Sequence, residues 1–499
     1  MALEGRSRFS IDADWDKLYV DGGWVDAESG ELIPVEDPST REVVAEVPHG
    51  TEADVDAAYE AAEAAQAERA ATPPAAREEL IPEPQRALTA HEAAILVLYT
   101  AEAAAMRGVS ETGVELTQDQ VAEAATLPRR MNGEHAASNV PGKEHVVERV
   151  PQGVVTVISP WNFPLNLSAR AVVPAVAAGN TVVLKPATDS AIVGGLLFAR
   201  LFEEAGFPDG VLNVVTGRGS EIGDRVASHP ASDVVSFTGS TEVGRRVAGL
   251  AGENLAVPAM ELGGNNAHIV TDDADLDAAV DAGVFGSFVH QGQVCISINR
   301  HVVHEAVHDE YVAKLTERAA NLPAGNAHGQ VAVGPIINES QRDEMLAYVE
   351  RTVEAGATLE TGGGVVDLDG VDDSLVVEPT VLSGVTNGMA AACNEHFGPI
   401  APVIRVSSVD EAIAVANDTE YGLSGSVHAG GVGAGKRIAR RMDTGMVHVN
   451  DQPVNDEAHV PFGGTNASGI GGYNTTDFLD EVTEKKWISL QHEPREFPF

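Results

Sequence analysis

Between Gly153 and Ala256 short, wholly apolar runs alternate with longer mixed segments. GVVTVISP reads as a strand buried on both faces, Leu165 to Ala178 as a helix closed by Gly179, and TVVLKP as a second strand. Ser190 to Ala205 then reads as a helix closed by Gly206. LNVVTG, a helix, DVVSFTGS and a helix from Thr241 complete the series. Strands that are continuously Val, Ile and Leu, each followed by a helix, predict a parallel sheet covered on both faces. Ligands of such sheets lie at the carboxyl ends of the strands, where SPWNFP, KPAT and FTGS fall.

A second alternation predicts a second α/β domain. It comprises AHIV, a helix after Asp275, the strand RHVVHE, a helix from Asp309 and strands near Val377 to Val381 and Ile400 to Val406. Ahead of both, KLYVDGGWVDAESGELIPVEDP reads as a β-hairpin lead-in. Thr51 to about Ala71 is an alanine- and glutamate-rich helix with Thr51 or Asp54 as N-cap, and helix continues to roughly Leu127 with an interruption at Pro82 and Pro84. Arg129 to Arg149 reads as an extended arm. The closing EVTEKKWISL is a lone strand that needs a partner edge, expected across a subunit interface.

Composition changes the picture in one respect. The 499 residues include 75 acidic and 32 basic side chains, a formal net charge of -43, with acids spread throughout. Such self-repulsion is relieved at molar salt, where the screening length falls to about 3 Å, and the balance fits the cytoplasm of a halophile. It argues against nucleic acid as a partner, since phosphate contacts need basic residues. No apolar run reaches membrane-spanning length and MALEGRSRFSIDAD lacks a signal-peptide layout, so no membrane partner and a cytoplasmic location are expected. The two cysteines make no disulfide framework.

One of those cysteines, Cys295, sits in HQGQVCISINR, ahead of a strand. A solvent-accessible thiol whose thiolate is favoured is a good nucleophile. A cysteine acting on a carbonyl also needs an oxyanion donor, a base for water and a hydride acceptor. Asn162, in SPWNFP, offers a side-chain amide, and the Cys295 backbone N–H offers a second donor. Glu261, in MELGGNN, is a candidate general base beside Gly263 and Gly264, which let a ligand approach the backbone. Each has a plainer reading: Cys295 as a small buried hydrophobe, Asn162 as a turn residue, Glu261 as a solvated acid. Gly239 and Ser240 lie at a strand-to-helix junction whose free N–H groups suit a pyrophosphate. Lys185, at the end of a buried strand, reads equally as a salt-bridge partner or a ribose contact.

Taken together the motifs carry a resemblance. SPWNFP, VLKPA, FTGSTEVG, MELGG, GQVC with Arg300, NEHFGP, PFGG and SGIGG occur in an order that resembles the aldehyde dehydrogenase superfamily of NAD- or NADP-dependent, non-phosphorylating enzymes. The resemblance implies that Cys295 attacks the aldehyde, Asn162 and the Cys295 N–H hold the oxyanion, and Glu261 activates the water that hydrolyses the thioester. It also implies that Lys185 contacts the adenosine ribose, Gly239 and Ser240 the pyrophosphate, and Glu395 with Phe397 the nicotinamide ribose. Ser159, Pro160, Trp161, Thr188 and Leu262 complete the cofactor set; no metal is implied. ELGGNNAHIV and TEKKWISL look like the benzaldehyde and vanillin dehydrogenase branch, many of whose members have Lys at the position of Asn265. A threonine at position 188, where strict NAD users carry glutamate, implies use of both NAD and NADP.

The expected architecture is a Rossmann-like cofactor domain over residues 1–128 and 150–260, a catalytic domain over 261–477, and an oligomerisation arm with terminal strand over 129–149 and 478–499, in a homodimer or homotetramer. Departures from the family pattern fall at Pro82 and Pro84, in AEAAAMRGVS and at Asn466. Three rival readings stand beside this one. HEAVH, His304 to His308, fits a zinc-protease pattern only if both histidines share one helix face; GGVGAGKR resembles a phosphate loop but ends in Arg437 where a hydroxyl is needed; and the fold can persist in a cofactor-binding or structural protein without catalysis. Cys393 matches no catalytic position.

Overall fold

The computed structural model describes residues 14–371 and 373–499. An eight-stranded sheet runs in the order Gly469–Ile470, Val257–Glu261, Val234–Thr238, Val154–Ser159, Thr181–Pro186, Leu212–Val214, Leu18–Val20 and Gly23–Val25. Its inner strands are parallel, as their unbroken apolar runs predict, and the antiparallel members close both edges. Helices bury it on both faces; the helix Pro164–Ala178 is buried along its whole length and ends at Gly179, whose φ of 102° is the left-handed cap expected there. A seven-stranded sheet carries the second alternation, from Thr358–Thr361 at one edge to His448–Val449 at the other, with Asn266–Val270 and Ile298–His304 paired near its centre.

Register determines what meets at the carboxyl ends. Ser159 is level with Pro186, Ile158 with both Lys185 and Phe237, and Thr238 with Glu261. Motifs about a hundred residues apart in the chain thereby share one rim.

The lead-in helix starts as expected: Thr51 caps Glu52–Ala71 in a reciprocal capping box with Asp54. The prolines are placed where they do no harm. Pro82 is the N-cap and Pro84 lies in the first turn of Glu83–Ala103, so the interruption expected there is a helix start, and the stretch to Leu127 is three helices, Pro74–Leu80, Glu83–Ala103 and Arg107–Ala124, the last turn between them made by Ala104 at φ 55°.

Three expectations are corrected. The helix placed after Asp309 begins at Glu305, because the His304 ring accepts from the Ala306 N–H and serves as its cap. The segment from Ser190 is not uniformly α-helical: Thr188–Ser190 is a 3₁₀ turn and Ile192–Leu196 a π turn before Leu197–Ala205, since the buried Glu102 carboxylate takes the N–H groups of Ile192 and Val193 at 2.8 and 2.6 Å. The terminal strand Thr483–Gln491 finds its partner edge within its own chain, pairing antiparallel along its full length with Lys143–Pro151, which pairs in turn with Glu134–Ala137. No single helix among the described residues is long and apolar enough to cross a membrane.

Candidate active site

Cys295 stands at the end of a loop that leaves the helix Leu276–Phe288 through consecutive left-handed residues: His290 (φ 49°), Gln291 (58°) and Gly292 (73°). Two of these carry side chains, so the strain has to be held by contacts, and the polar character of the HQGQ run supplies them. His290 Nε2 donates to the Asn162 carbonyl at 2.8 Å; burial holds this ring neutral, at about 4. Gln291 Nε2 donates to the carbonyls of Ala104 and Pro335, both at 2.8 Å, and Gln293 Oε1 accepts from the Ile337 N–H at 3.0 Å. On the far side Asn266 Nδ2 donates to the Cys295 and Ser297 carbonyls at 2.8 and 2.7 Å. Position 264 must be glycine, since a Cβ there would lie 2.7 Å from the Cys295 carbonyl oxygen.

Asn162 is buried and its Nδ2 donates to the Gln293 carbonyl at 2.9 Å. An amide nitrogen carries two hydrogens, so one remains for a ligand. Asn162 and Cys295 both line an apolar cavity of about 490 Å³ walled by Met106, Val109, Phe163, Phe285, Ile296 and Phe462. Arg170 and Asp456 are its charged lining.

The electrostatics of the site run against ionisation. Burial, then the Glu395 carboxyl and more weakly Glu261, push the Cys295 thiol up to about 12, with the Arg170 guanidinium opposing them. The thiol is therefore protonated at neutral pH, contrary to the simple expectation of a field that favours the thiolate. Glu261 is 3% exposed, neither carboxylate oxygen has a hydrogen-bond partner within the described chain, and burial raises it to about 8 against the pull of Arg170. A fully buried carboxyl poised near neutral pH with both oxygens free is a competent base. Glu395 is raised to about 7 by burial, and its Oε1 accepts from the Gly264 N–H at 3.0 Å.

The residues expected to hold a cofactor lie along the sheet's carboxyl rim and continue to Glu395. Ser159 accepts from Ser168 Oγ at 2.7 Å. Lys185 is buried and makes no salt bridge among the described residues; its Nζ donates to the Pro186 carbonyl at 2.9 Å and burial lowers it to about 8, leaving further N–H groups for a hydroxyl-bearing ligand. Thr188 Oγ1 donates to the Gly217 carbonyl at 3.2 Å. Gly239 ends the strand Val234–Thr238 and Ser240 caps the helix Thr241–Glu253, whose first N–H groups face that rim. Trp161 packs edge-on against Phe397, with centroids 5.4 Å apart, next to Pro160. Leu262 fills the notch beside Gly244, where a Cβ would come within 2.2 Å of it. Buried amine, helix N-terminus and Glu395 form a donor and acceptor set that fits a dinucleotide.

Sequence reasoning missed the supporting polar residues. Asn266, His290, Gln291 and Gln293 hold the nucleophile loop, while the buried Arg300, quoted only as part of a motif, donates to the carbonyls of Asn265, Val415 and Ala416. The clustering of Asn and Gln in otherwise apolar strand ends was the available signal. Of the rival motifs, His304 caps a helix that His308 lies within, so the two do not share a helix face. Gly431 is the N-cap of the short helix Val432–Ala439, remote in sequence from the rim residues.

The comparisons agree with this geometry. The model of the aldehyde dehydrogenase family matches residues 24–488. The chain is 43% identical over 481 residues to vanillin dehydrogenase of Corynebacterium glutamicum, covering 96% of this chain and 98% of that one. It is 42% identical over 489 residues to an NAD(+) benzaldehyde dehydrogenase of Pseudomonas putida, covering 97% and 98%. Betaine aldehyde dehydrogenase of Staphylococcus aureus, solved in complex with NAD+, superposes with a TM-score of 0.94 at 32% identity over 97% of this chain and 96% of that one. A family model over residues 24–488, relatives above 40% identical over nearly the whole chain and one superposable α/β frame leave one conclusion: the chain belongs to the aldehyde dehydrogenase family.

Proposed function

We propose that the protein oxidises aromatic aldehydes to carboxylates with NAD or NADP, using Cys295 as nucleophile, Asn162 as oxyanion donor and Glu261 as general base. One observation carries the reading: a thiol and an amide with a hydrogen to spare share the wall of an apolar cavity, within the electrostatic reach of an unpartnered buried carboxyl. Cys295 loses its proton to a base and its sulfur bonds to the aldehyde carbon. The resulting oxyanion takes the free Asn162 N–H and the Cys295 N–H, which lies against its own sulfur. A bound nicotinamide would supply the hydride acceptor for the tetrahedral adduct. Lys185 would hold the adenosine ribose, Gly239 and Ser240 the pyrophosphate, and Glu395 with Phe397 the nicotinamide ribose. Glu261 would then take a proton from water as the water oxygen bonds to the thioester carbon; the carbon–sulfur bond breaks, the acid leaves and Cys295 is released as its thiolate.

The aromatic substrate rests on the cavity's wall of Phe163, Phe285 and Phe462 and on relatives named for vanillin and benzaldehyde. With benzaldehyde, vanillin and a short aliphatic aldehyde compared at molar KCl, kcat/KM is expected to be about tenfold or more higher for the aromatics, since a ring buries roughly two methylenes' worth of extra area or more. Equal values for the aliphatic aldehyde remove the aromatic assignment and keep the class.

Thr188 carries no charge to repel a 2′-phosphate, and its hydroxyl proton is committed to Gly217. NADP is expected to bind within a thousandfold of NAD, a gap under about 4 kcal/mol. Fluorescence titration with the two reduced cofactors measures the ratio, and a larger gap shows the protein strict for NAD. Among the described residues no strand covers the outer edge of the terminal strand, and Trp487 is exposed there, which supports a homodimer or homotetramer.

A further inference from the structure

A buried ion pair sits where an apolar substrate cavity would be expected to exclude it. Arg170 lies two turns along the helix that follows Asn162, on the face that Asn166 shares, and its side chain is 3% exposed. It pairs with Asp456, itself 9% exposed, and its guanidinium carbon stands 4.2 Å over the Phe462 ring. Asp456 is fixed from behind: Asn474 Nδ2 donates to its Oδ1 at 3.1 Å, and Gln120 Nε2 donates to Asn474 Oδ1 at 2.9 Å. The guanidinium has one clamped edge and one idle one, for Arg170 Nε has no partner within the described chain.

Burying an arginine and an aspartate is costly, and two apolar residues of similar size would fill this space more stably. What distinguishes the pair is its neighbours. Glu261 on its strand, Cys295 on its loop and Tyr473 in the segment before Asn474 all feel the Arg170 charge. The other charged groups facing Cys295 are the carboxyls of Glu395 and, more weakly, Glu261, with Asp456 on the same cavity wall, all of the wrong sign to help a thiolate. His290, the nearby imidazole, is held neutral with its Nε2 on the Asn162 carbonyl.

We propose that Arg170 is an electrostatic positioning residue of the reaction: clamped by Asp456 against Phe462, its charge eases proton loss from Cys295 and Glu261, and Asp456 sets how much of that charge they feel. The role follows from the buried geometry and rests on Cys295 being the nucleophile. It predicts opposite effects from two neutralising substitutions at one ion pair, which a merely structural pair does not produce.

The test is the rate of Cys295 alkylation by iodoacetamide at fixed pH in the full chain, followed by the mass of its own peptide so that Cys393 does not contribute. This rate reads the thiolate fraction without cofactor or turnover. Arg170→Met is expected to alkylate about tenfold more slowly than wild type, the effect of losing one nearby opposite charge, and Asp456→Asn severalfold faster. Both variants changing in the same direction, or no change in Asp456→Asn, overturns the proposal. If Arg170→Met does not fold, Asp456→Asn decides alone: acceleration supports the role, and an unchanged or slower rate refutes it. Failure of the nucleophile assignment is read separately, as turnover surviving in Cys295→Ala.

Discussion

Cys295→Ala is expected to lose aldehyde oxidation by about four orders of magnitude or more while binding NAD with near wild-type affinity. The side chain replaced is one sulfur at the end of a loop held by Asn266, His290, Gln291 and Gln293 through hydrogen bonds to backbone groups. The loop should keep its conformation, and global stability should change by about 1 kcal/mol or less. The residues proposed to hold the cofactor, Ser159, Lys185, Gly239 and Ser240, lie on other elements. Absorbance of the reduced nicotinamide measures turnover and fluorescence titration measures binding. Turnover retained in a folded variant removes Cys295 as nucleophile. No turnover in the wild type, in folded and cofactor-binding protein, instead leaves the non-catalytic reading of this fold.

Glu261→Gln is expected to separate the two halves of the reaction. The substitution keeps the size of the side chain and removes the base, so the thioester forms and is not hydrolysed. One equivalent of reduced cofactor per active site should appear, followed by steady-state turnover about a hundred- to ten-thousandfold below wild type. Rapid mixing with excess aldehyde reads the burst and the steady state together; absence of the burst with normal steady-state turnover refutes the assignment. The wild-type pH dependence follows with a definite sign. Burial raises Glu261 to about 8, and the base acts only without its proton. The hydrolysis-limited rate should therefore rise as pH passes upward through about 8 and fall about tenfold per unit below it. In Glu261→Gln this inflection should be absent.

The high value for Cys295 and the free state of Glu261 belong together. A thiol driven up by burial and by Glu395 does not ionise unaided, which protects it from adventitious chemistry and makes its nucleophilicity depend on what lies beside it. Gly263 and Gly264 permit this crowding: a Cβ at 263 would fall within 2.0 Å of a Glu395 oxygen, and one at 264 would strike the Cys295 carbonyl. The glycine pair after Glu261 thus brings one carboxyl and one thiol loop close to the strand end.

Much of the chain was legible without coordinates. The period of apolar runs marks the parallel strands, glycines 179 and 206 close their helices at left-handed φ, and the Thr51 cap is read from Thr and Asp at the right spacing. These are local properties, set by the steric and hydrogen-bonding preferences of a few adjacent residues, so sequence alone determines them. The proposed chemical cast of Cys295, Glu261 and Asn162 was read from ordered motifs, because few residue types can do such work, and the fold brings Cys295 and Asn162 to one cavity wall. What only tertiary structure decided depends on distance through space. Arg170 and Asp456 are 286 positions apart and no local pattern pairs them. The terminal strand looked partnerless because its edge, Lys143–Pro151, lies more than three hundred residues earlier in the chain. The protonation of Cys295, Glu261 and Lys185 is a matter of burial, which comes from the whole fold closing over them and is carried by no single stretch of sequence.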